Sequence, residues 1–384
     1  MFLNKVINRN PELVDGAIAL HQSFELEPDT YVIDLDTTLQ NARYILNSAR
    51  EKNIELYFMT KQIGRNPYIA KELVKMGYRG AVVVDFREAQ IMMENNIPLG
   101  NVGNLVQVPK QMIKKVIEYG VEVITVFTIE KCLEINEIAK SLNLKQDVIL
   151  RVYSDSDQIY PGQEGGFNIQ DLAEAYSLLK NLKNIEIVGV TSFPTYLFNE
   201  AKGEITTTEN YNTVMKAVEQ LKKLGVNLKQ INLPSTTSVY TLNLMKDTIA
   251  THGEPGHGLT GTTPAHAILD LDEIPSVVYI SEVSHNYKDS AFCYGGGYYR
   301  RSHVKNALID DKGIRKMVTV NPLEPTNIDY TFKLSENCPM SATVVMAFRF
   351  QIFVTRSKVA IVSGIKNKQP KIEGVFDSQG RVLV

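Results

Sequence analysis

From residue 30 to about residue 235, short apolar runs alternate with longer amphipathic stretches. A chain patterned this way builds strand-then-helix units, which pair as a parallel sheet. The pattern predicts strands at Tyr31–Ile33, Glu55–Met59, Gly80–Val84, Asn101–Val106, Val121–Val126, Val148–Val152, Ile185–Val190 and Gln230–Leu233. Helical periodicity lies between them, as in Thr38–Lys52, Ile69–Met76, Glu88–Asn95, Ile129–Ser141, Leu172–Lys180 and Tyr211–Leu224. Gly77, Gly120 and Gly225 follow three of these helices as C-terminal caps. Eight units in one run favour a closed (β/α)₈ TIM barrel over an open sheet, whose edge strands would need protection that neither end supplies.

After about residue 270 the texture turns β-rich, with runs at 275–280, 317–320, 343–348 and 359–362 separated by turn residues. The α/β barrel is therefore expected over residues 30–270, followed by a mostly-β C-terminal domain over 271–384. Residues 1–29 form an N-terminal extension with an amphipathic stretch at Pro11–Leu20, and the sequence leaves open which domain it packs on.

Composition narrows the function classes. A net charge of -2 gives no basic field for nucleic acid or an anionic membrane. No apolar stretch is long enough to span a membrane, and the segment Met1–Lys5 has no signal-peptide apolar core, so a cytoplasmic protein is expected. Cys132, Cys293 and Cys338 are odd in number and scattered, which fits neither a disulfide framework nor a zinc site. His252, His257 and His266 also lack metal-ligand spacing, so no metal is expected.

Enzymes on this barrel place their chemistry at the C-terminal ends of the strands. Lys61 stands there, between the apolar run 54–60 and the breaker cluster Gly64, Asn66 and Pro67. Burial at a strand mouth favours a neutral amine, a nucleophile that can hold a carbonyl compound as a Schiff base. The ordinary alternative is a lysine that snorkels out of a strand end. Phosphate sites on this fold lie after the last two strands, where the chain supplies Ser235, Thr236 and Thr237, then Gly253, Glu254, Pro255, Gly256, His257 and Gly258. Glycines there allow backbone N–H groups to cradle an anion, or simply make a hinge. Glu254 adjoins this cradle, where a carboxylate can face the protonated ring nitrogen of a flat phosphorylated cofactor. Lysine for an aldehyde, loop for a phosphate and glutamate for a ring nitrogen together specify pyridoxal 5'-phosphate.

These segments resemble the fold-type III pyridoxal-phosphate enzymes with an alanine-racemase-like N-terminal barrel. Residues 31–41 are similar to the family's opening strand. The segment from Thr60 to Ala70 is similar to its Schiff-base lysine segment, closest to the ornithine-racemase-like branch. Glu254-Pro255-Gly256 is similar to the Glu-Pro-Gly of the decarboxylase branch. Tyr294, followed by Gly295, Gly296, Gly297 and Tyr298, resembles the segment that alanine racemases send into a partner subunit's site.

The resemblance implies that Lys61, Arg151, Ser235, Thr236, Glu254, Gly256 and His257 contact the cofactor. It also implies that Lys61 and Tyr294 act as the two bases, and that the protein is a homodimer. The chain departs from the pattern at three positions. Phe193 replaces a cofactor-stacking histidine, Arg65 a phosphate-touching tyrosine, and Glu254 the arginine of alanine racemases. Glutamate at that position keeps racemisation, decarboxylation and elimination open. The leading expectation is an amino-acid racemase or epimerase. The alternatives are an amino-acid decarboxylase of the same fold and a non-catalytic pyridoxal-phosphate-binding protein.

Overall fold

In the computed structural model, whose described residues are 2–384, eight parallel strands close into a barrel surrounded by helices. In order around the barrel they are Glu55–Met59, Gly80–Val83, Leu99–Val102, Val123–Val126, Gln146–Tyr153, Ile185–Thr191, Gln230–Asn232 and His252–Gly253. The last closes the ring on the first, with His252 opposite Glu55 and Gly253 opposite Leu56. Most of these strands are buried along their whole length, as expected where one face fills a barrel and the other meets helices.

Helix starts follow side-chain chemistry. Asp85 caps Phe86–Glu94 by accepting the Glu88 N–H at 2.8 Å, and Thr128 caps Ile129–Ser141 through the Lys131 N–H at 3.2 Å. Gly77, Gly120 and Gly225 all take positive φ, as their place after helices predicts.

Two corrections concern the ends of the barrel. The expected opening strand, Tyr31–Ile33, is not a barrel strand. As Thr30–Asp34 it is a central strand of a second sheet, antiparallel to Val277–Tyr287 and parallel to Lys358–Ser363. The place it leaves is filled by His252–Gly253, two residues too short to show any periodicity. Asp34, the last residue of the Thr30–Asp34 strand, directly precedes the helix Leu35–Arg50. Its carboxylate accepts the Thr37 N–H at 3.1 Å and an amide N–H of Asn10 at 3.0 Å.

The compact units follow this pairing. One comprises residues 43–60 and 67–256, including all eight barrel strands. The other comprises residues 1–42, 61–66 and 257–384, a division by packing that differs from the expected boundaries at 30 and 270. Its main sheet runs Ile314–Thr319, Asn306–Asp311, Thr343–Met346, Val277–Tyr287, Thr30–Asp34, Lys358–Ser363, Lys371–Phe376. The N-terminal helices Phe2–Arg9 and Pro11–Gln22 pack on this sheet. Leu3, Val6, Leu13, Val14, Ala17 and Ile18 join Val32, Val278, Ile280 and Val345 in one buried cluster. That settles the packing of the N-terminal extension.

Close approach inside the barrel yields a stability prediction. A Cβ on Gly189, in the sixth strand, would lie 2.1 Å from the Gln230 carbonyl oxygen and 2.6 Å from Ile149 Cγ2. Neither neighbour can give way without moving a barrel strand. Gly189→Ala is expected to cost about 3 kcal/mol, the upper end of ordinary overpacking, read as a lowered urea midpoint. An unchanged midpoint would show that the strands can part there.

Candidate active site

Lys61 begins a short 3-10 turn, Lys61–Ile63, one residue beyond the first barrel strand. The end of that strand is pinned on both sides. The Met59 N–H donates to the Pro255 carbonyl at 2.9 Å, and the Thr60 hydroxyl donates to the Glu88 carboxylate. Gly64 and Arg65 then take φ of 66° and 54°, turning the chain toward the helix Pro67–Met76.

Glu254 directly follows the eighth strand and is buried. Its carboxylate is met by three carboxamides, Asn101 and Asn232 from the third and seventh barrel strands and Asn104 from the loop after the third. Asn104 Nδ2 donates to Oε2 at 3.0 Å, while Asn232 and Asn101 donate to Oε1 at 3.4 and 3.5 Å. Asn101 is oriented in turn by the Thr125 hydroxyl, which donates to its Oδ1 at 2.7 Å. The Glu254 N–H donates to Thr237 Oγ1 at 3.2 Å. Each of the three asparagine contacts brings an N–H to the carboxylate, an arrangement suited to a group that accepts and does not donate.

Ser235 and Thr236 follow the seventh strand with φ of 104° and 48°. Positive φ is costly for a β-branched residue and marks a loop held in shape by its surroundings. The Thr236 hydroxyl is buried there with no hydrogen-bond partner among the described residues. Arg151, in the fifth strand, is buried over the Phe127 ring at 4.7 Å and donates through Nη2 to the Gln163 carbonyl at 2.7 Å. Its Nη1 has no hydrogen-bond partner among the described residues. Burial lowers the Arg151 pKa to about 10, and Glu164 opposes that shift. Both orphaned groups stand at the strand ends, so an anionic oxygen-rich ligand would meet needs that the protein leaves open. This is the fit expected for a phosphorylated cofactor.

Among the other expected residues, Gly256 is buried two positions after Glu254. His257 belongs to the β-rich unit. Its Nδ1 lies 3.2 Å from Thr262 Oγ1 and its Nε2 3.3 Å from Gln351 Nε2. Burial, together with the charges of Arg349, Lys61 and His266, holds the imidazole pKa well below its usual value. The ring is thus neutral and engaged on both nitrogens.

Tyr294 ends the strand Ser290–Tyr294 with an exposed side chain, and its carbonyl accepts the Ser281 hydroxyl at 2.7 Å. The glycines that follow do more than free a turn. A Cβ on Gly296, at φ 127°, would fall 2.1 Å from the Asp29 carboxylate. The Gly297 carbonyl accepts the Tyr31 hydroxyl at 2.5 Å.

Asp29, packed against Gly296, is a source of pH-dependent stability. Its Oδ1 accepts from the Tyr279 and Ser357 hydroxyls at 2.7 and 2.5 Å. Burial raises its pKa to about 6. The two hydroxyls and Arg356 oppose the shift, and Asp329 adds to it. The native state therefore holds the Asp29 proton more tightly than the unfolded chain does. Its contribution is fully present below about pH 4 and is lost as pH rises through about 6. Asp29→Asn is expected to flatten the fall in melting temperature between pH 4 and 7. An unchanged slope would exclude Asp29 as its source.

Thr60, Glu88, Asn101 and Asn232 were not singled out from the sequence. An asparagine in a strand or a glutamate in a first helical turn reads as ordinary until the fold closes.

The chain matches the alanine racemase N-terminal domain over residues 33–264 and the YhfX-like C-terminal domain over residues 278–372. It is 43% identical over 385 residues to the "Uncharacterized protein YhfX" of Escherichia coli (strain K12), covering 100% of both chains. Among solved structures it resembles alanine racemase of Clostridium difficile 630 at 17% identity, with TM-score 0.65 over 92% of this chain and 99% of that one. D-threonine aldolase from Filomicrobium marinum gives 14% identity and TM-score 0.68, covering 93% and 96%. Diaminopimelate decarboxylase from Helicobacter pylori, complexed with L-lysine, gives 16% and 0.68, covering 94% and 96%. At these identities the structural likeness shows a shared fold. Among the described residues, no helix is long and apolar enough to cross a membrane.

Proposed function

Because the chain belongs to the alanine racemase N-terminal-domain family of fold-type III pyridoxal-phosphate enzymes, we infer that it binds pyridoxal 5'-phosphate and acts at the α-carbon of an amino acid as a racemase or epimerase. The observation that carries the cofactor part of this reading is Glu254, a buried carboxylate at a barrel-strand end surrounded by amide donors. A carboxylate so placed is a partner for a protonated ring nitrogen.

Lys61 would hold the aldehyde carbon. Ser235, Thr236 and Gly256 would hold the phosphate through hydroxyl and backbone N–H groups, and His257 through its backbone. Arg151 would offer its open N–H. When bound, the cofactor supplies an electron sink for negative charge at the substrate α-carbon. Lys61 Nζ takes or gives the α-proton on one face of that carbon. Inverting its configuration requires a second proton-transferring group on the opposite face. We assign that role to Tyr294 of a second subunit in a homodimer, since its exposed side chain is available for delivery across an interface.

Decarboxylation is the second reading, favoured by the same Glu254. A non-catalytic cofactor-binding role fits less well, because the YhfX-like domain adds a whole β-rich unit to the barrel.

Borohydride reduction of the cofactor-loaded protein, followed by peptide mapping, should place the label on Lys61. Each L- and D-amino acid is then supplied while chirality and released CO₂ are followed. Inversion without CO₂ supports the racemase, and CO₂ release the decarboxylase. Label on Lys61 with neither signal supports the binding protein. Label on another lysine rejects the site.

A further inference from the structure

Glu88 is a carboxylate taken wholly out of water, and only half of its bonding has a local explanation. Its residue opens the helix Phe86–Glu94, where Asp85 accepts the Glu88 N–H at 2.8 Å and Glu88 Oε2 accepts the Val84 N–H at 2.7 Å. That arrangement is a variant of the capping box, with the first-turn glutamate accepting from the residue before the N-cap. The other oxygen does something a helix start does not need, since Oε1 accepts the hydroxyl of Thr60 from a different barrel unit. Thr60 is likewise fully buried, and it is the residue immediately before Lys61.

On its other side the same strand end is held by the Met59 N–H on the Pro255 carbonyl, at 2.9 Å, next to Glu254. The root of the Lys61 side chain is thereby tied to the segments that follow the second and eighth strands. A hydrogen bond to a buried carboxylate is among the stronger ones available, and a site held within a fraction of an ångström needs such support.

We propose that Glu88 is a positioning residue which, through the Thr60 hydroxyl, fixes the backbone from which Lys61 captures the cofactor aldehyde. This rests on the reading of Lys61 given above.

The test uses the full-length protein and its Thr60→Val, Thr60→Ser and Glu88→Gln variants. Each is titrated with pyridoxal phosphate, followed by visible absorbance and by the borohydride-trapped label on Lys61. Melting temperatures of the cofactor-free proteins are measured alongside. Valine keeps the shape of threonine without its hydroxyl, so Thr60→Val should weaken capture about tenfold, the scale of one charge-assisted bond. Its melting temperature should move by only a few degrees. Thr60→Ser, which keeps the hydroxyl, should restore capture to near wild type. Glu88→Gln should fall between the two, since a neutral amide oxygen accepts more weakly.

Wild-type capture by Thr60→Val, or no gain from serine over valine, would overturn the proposal. So would losses of capture that merely track melting temperature across the three variants. If Thr60→Val does not fold, wild-type capture by Glu88→Gln overturns it. Wild-type protein without label on Lys61 overturns the functional reading itself, whereas labelled wild type with unaffected variants overturns only the clamp.

Discussion

Lys61→Ala is expected to abolish turnover and covalent cofactor attachment while leaving the fold standing. Lys61 is only partly buried and starts a three-residue turn, so truncating it removes little core packing. Its stability cost should stay within about 1 kcal/mol, as for most substitutions away from the core. Its chemical cost is much larger. General acid–base assistance alone is worth about 10²–10⁴-fold, and the variant also loses the nucleophile that captures the aldehyde. Turnover should fall by about 10⁴-fold or more, measured with whichever amino acid the wild-type protein converts. Borohydride should then fix no label in the 55–70 peptide, while the melting temperature stays near wild type. A variant that keeps a tenth of the activity would remove Lys61 from the chemistry.

The candidate site residues could be picked out along the chain because they mark the ends of patterned segments. Lys61 closes an apolar run, Ser235 and Thr236 follow another, and Glu254 adjoins glycines and a proline. The barrel itself was legible from strand and helix alternation. The identity of its strands was less so, since Thr30–Asp34 is buried at all five positions in a sheet centre. Such a run looks the same whether it lines a barrel or fills a mixed sheet, because burial on both faces erases the alternation that tells them apart. His252–Gly253 failed for the opposite reason. Two residues carry no period, and only pairing with strands 20 and nearly 200 positions away makes them a strand.

The grouping of the asparagines around Glu254 was invisible on similar grounds, although Asn104 alone could be read off the end of a strand. Asn101, Asn104 and Asn232 become one group only when the barrel brings their segments to a common carboxylate. The glycines after Tyr294 carried a true signal with an incomplete cause. Close packing against Asp29 requires Gly296, whatever Tyr294 does.

Replacing Glu254 should separate the electronic task from the covalent one. In Glu254→Gln the shape is kept, and the amide oxygen can still accept from Asn104 at one position. The new NH₂ must then face the amide donors of Asn101 and Asn232, and no negative charge remains for a ring nitrogen. Removing one partner of a buried charge pair costs about 3–5 kcal/mol. With a factor of ten for each 1.4 kcal/mol or so, turnover should drop by about 10²–10³-fold. Lys61 is untouched, so the borohydride label on Lys61 should persist, unlike in Lys61→Ala. Glu254→Arg should fare worse, because a guanidinium carries only donors and would meet three more. Its buried charge would also be left without a partner among these amides, so a clear loss of melting temperature is expected on top of lost turnover. This predicts that the arginine of alanine racemases cannot simply be transplanted here, since the asparagine shell is built for a carboxylate. Full turnover in Glu254→Gln, with the label still on Lys61, would mean that the ring nitrogen is held by some other group.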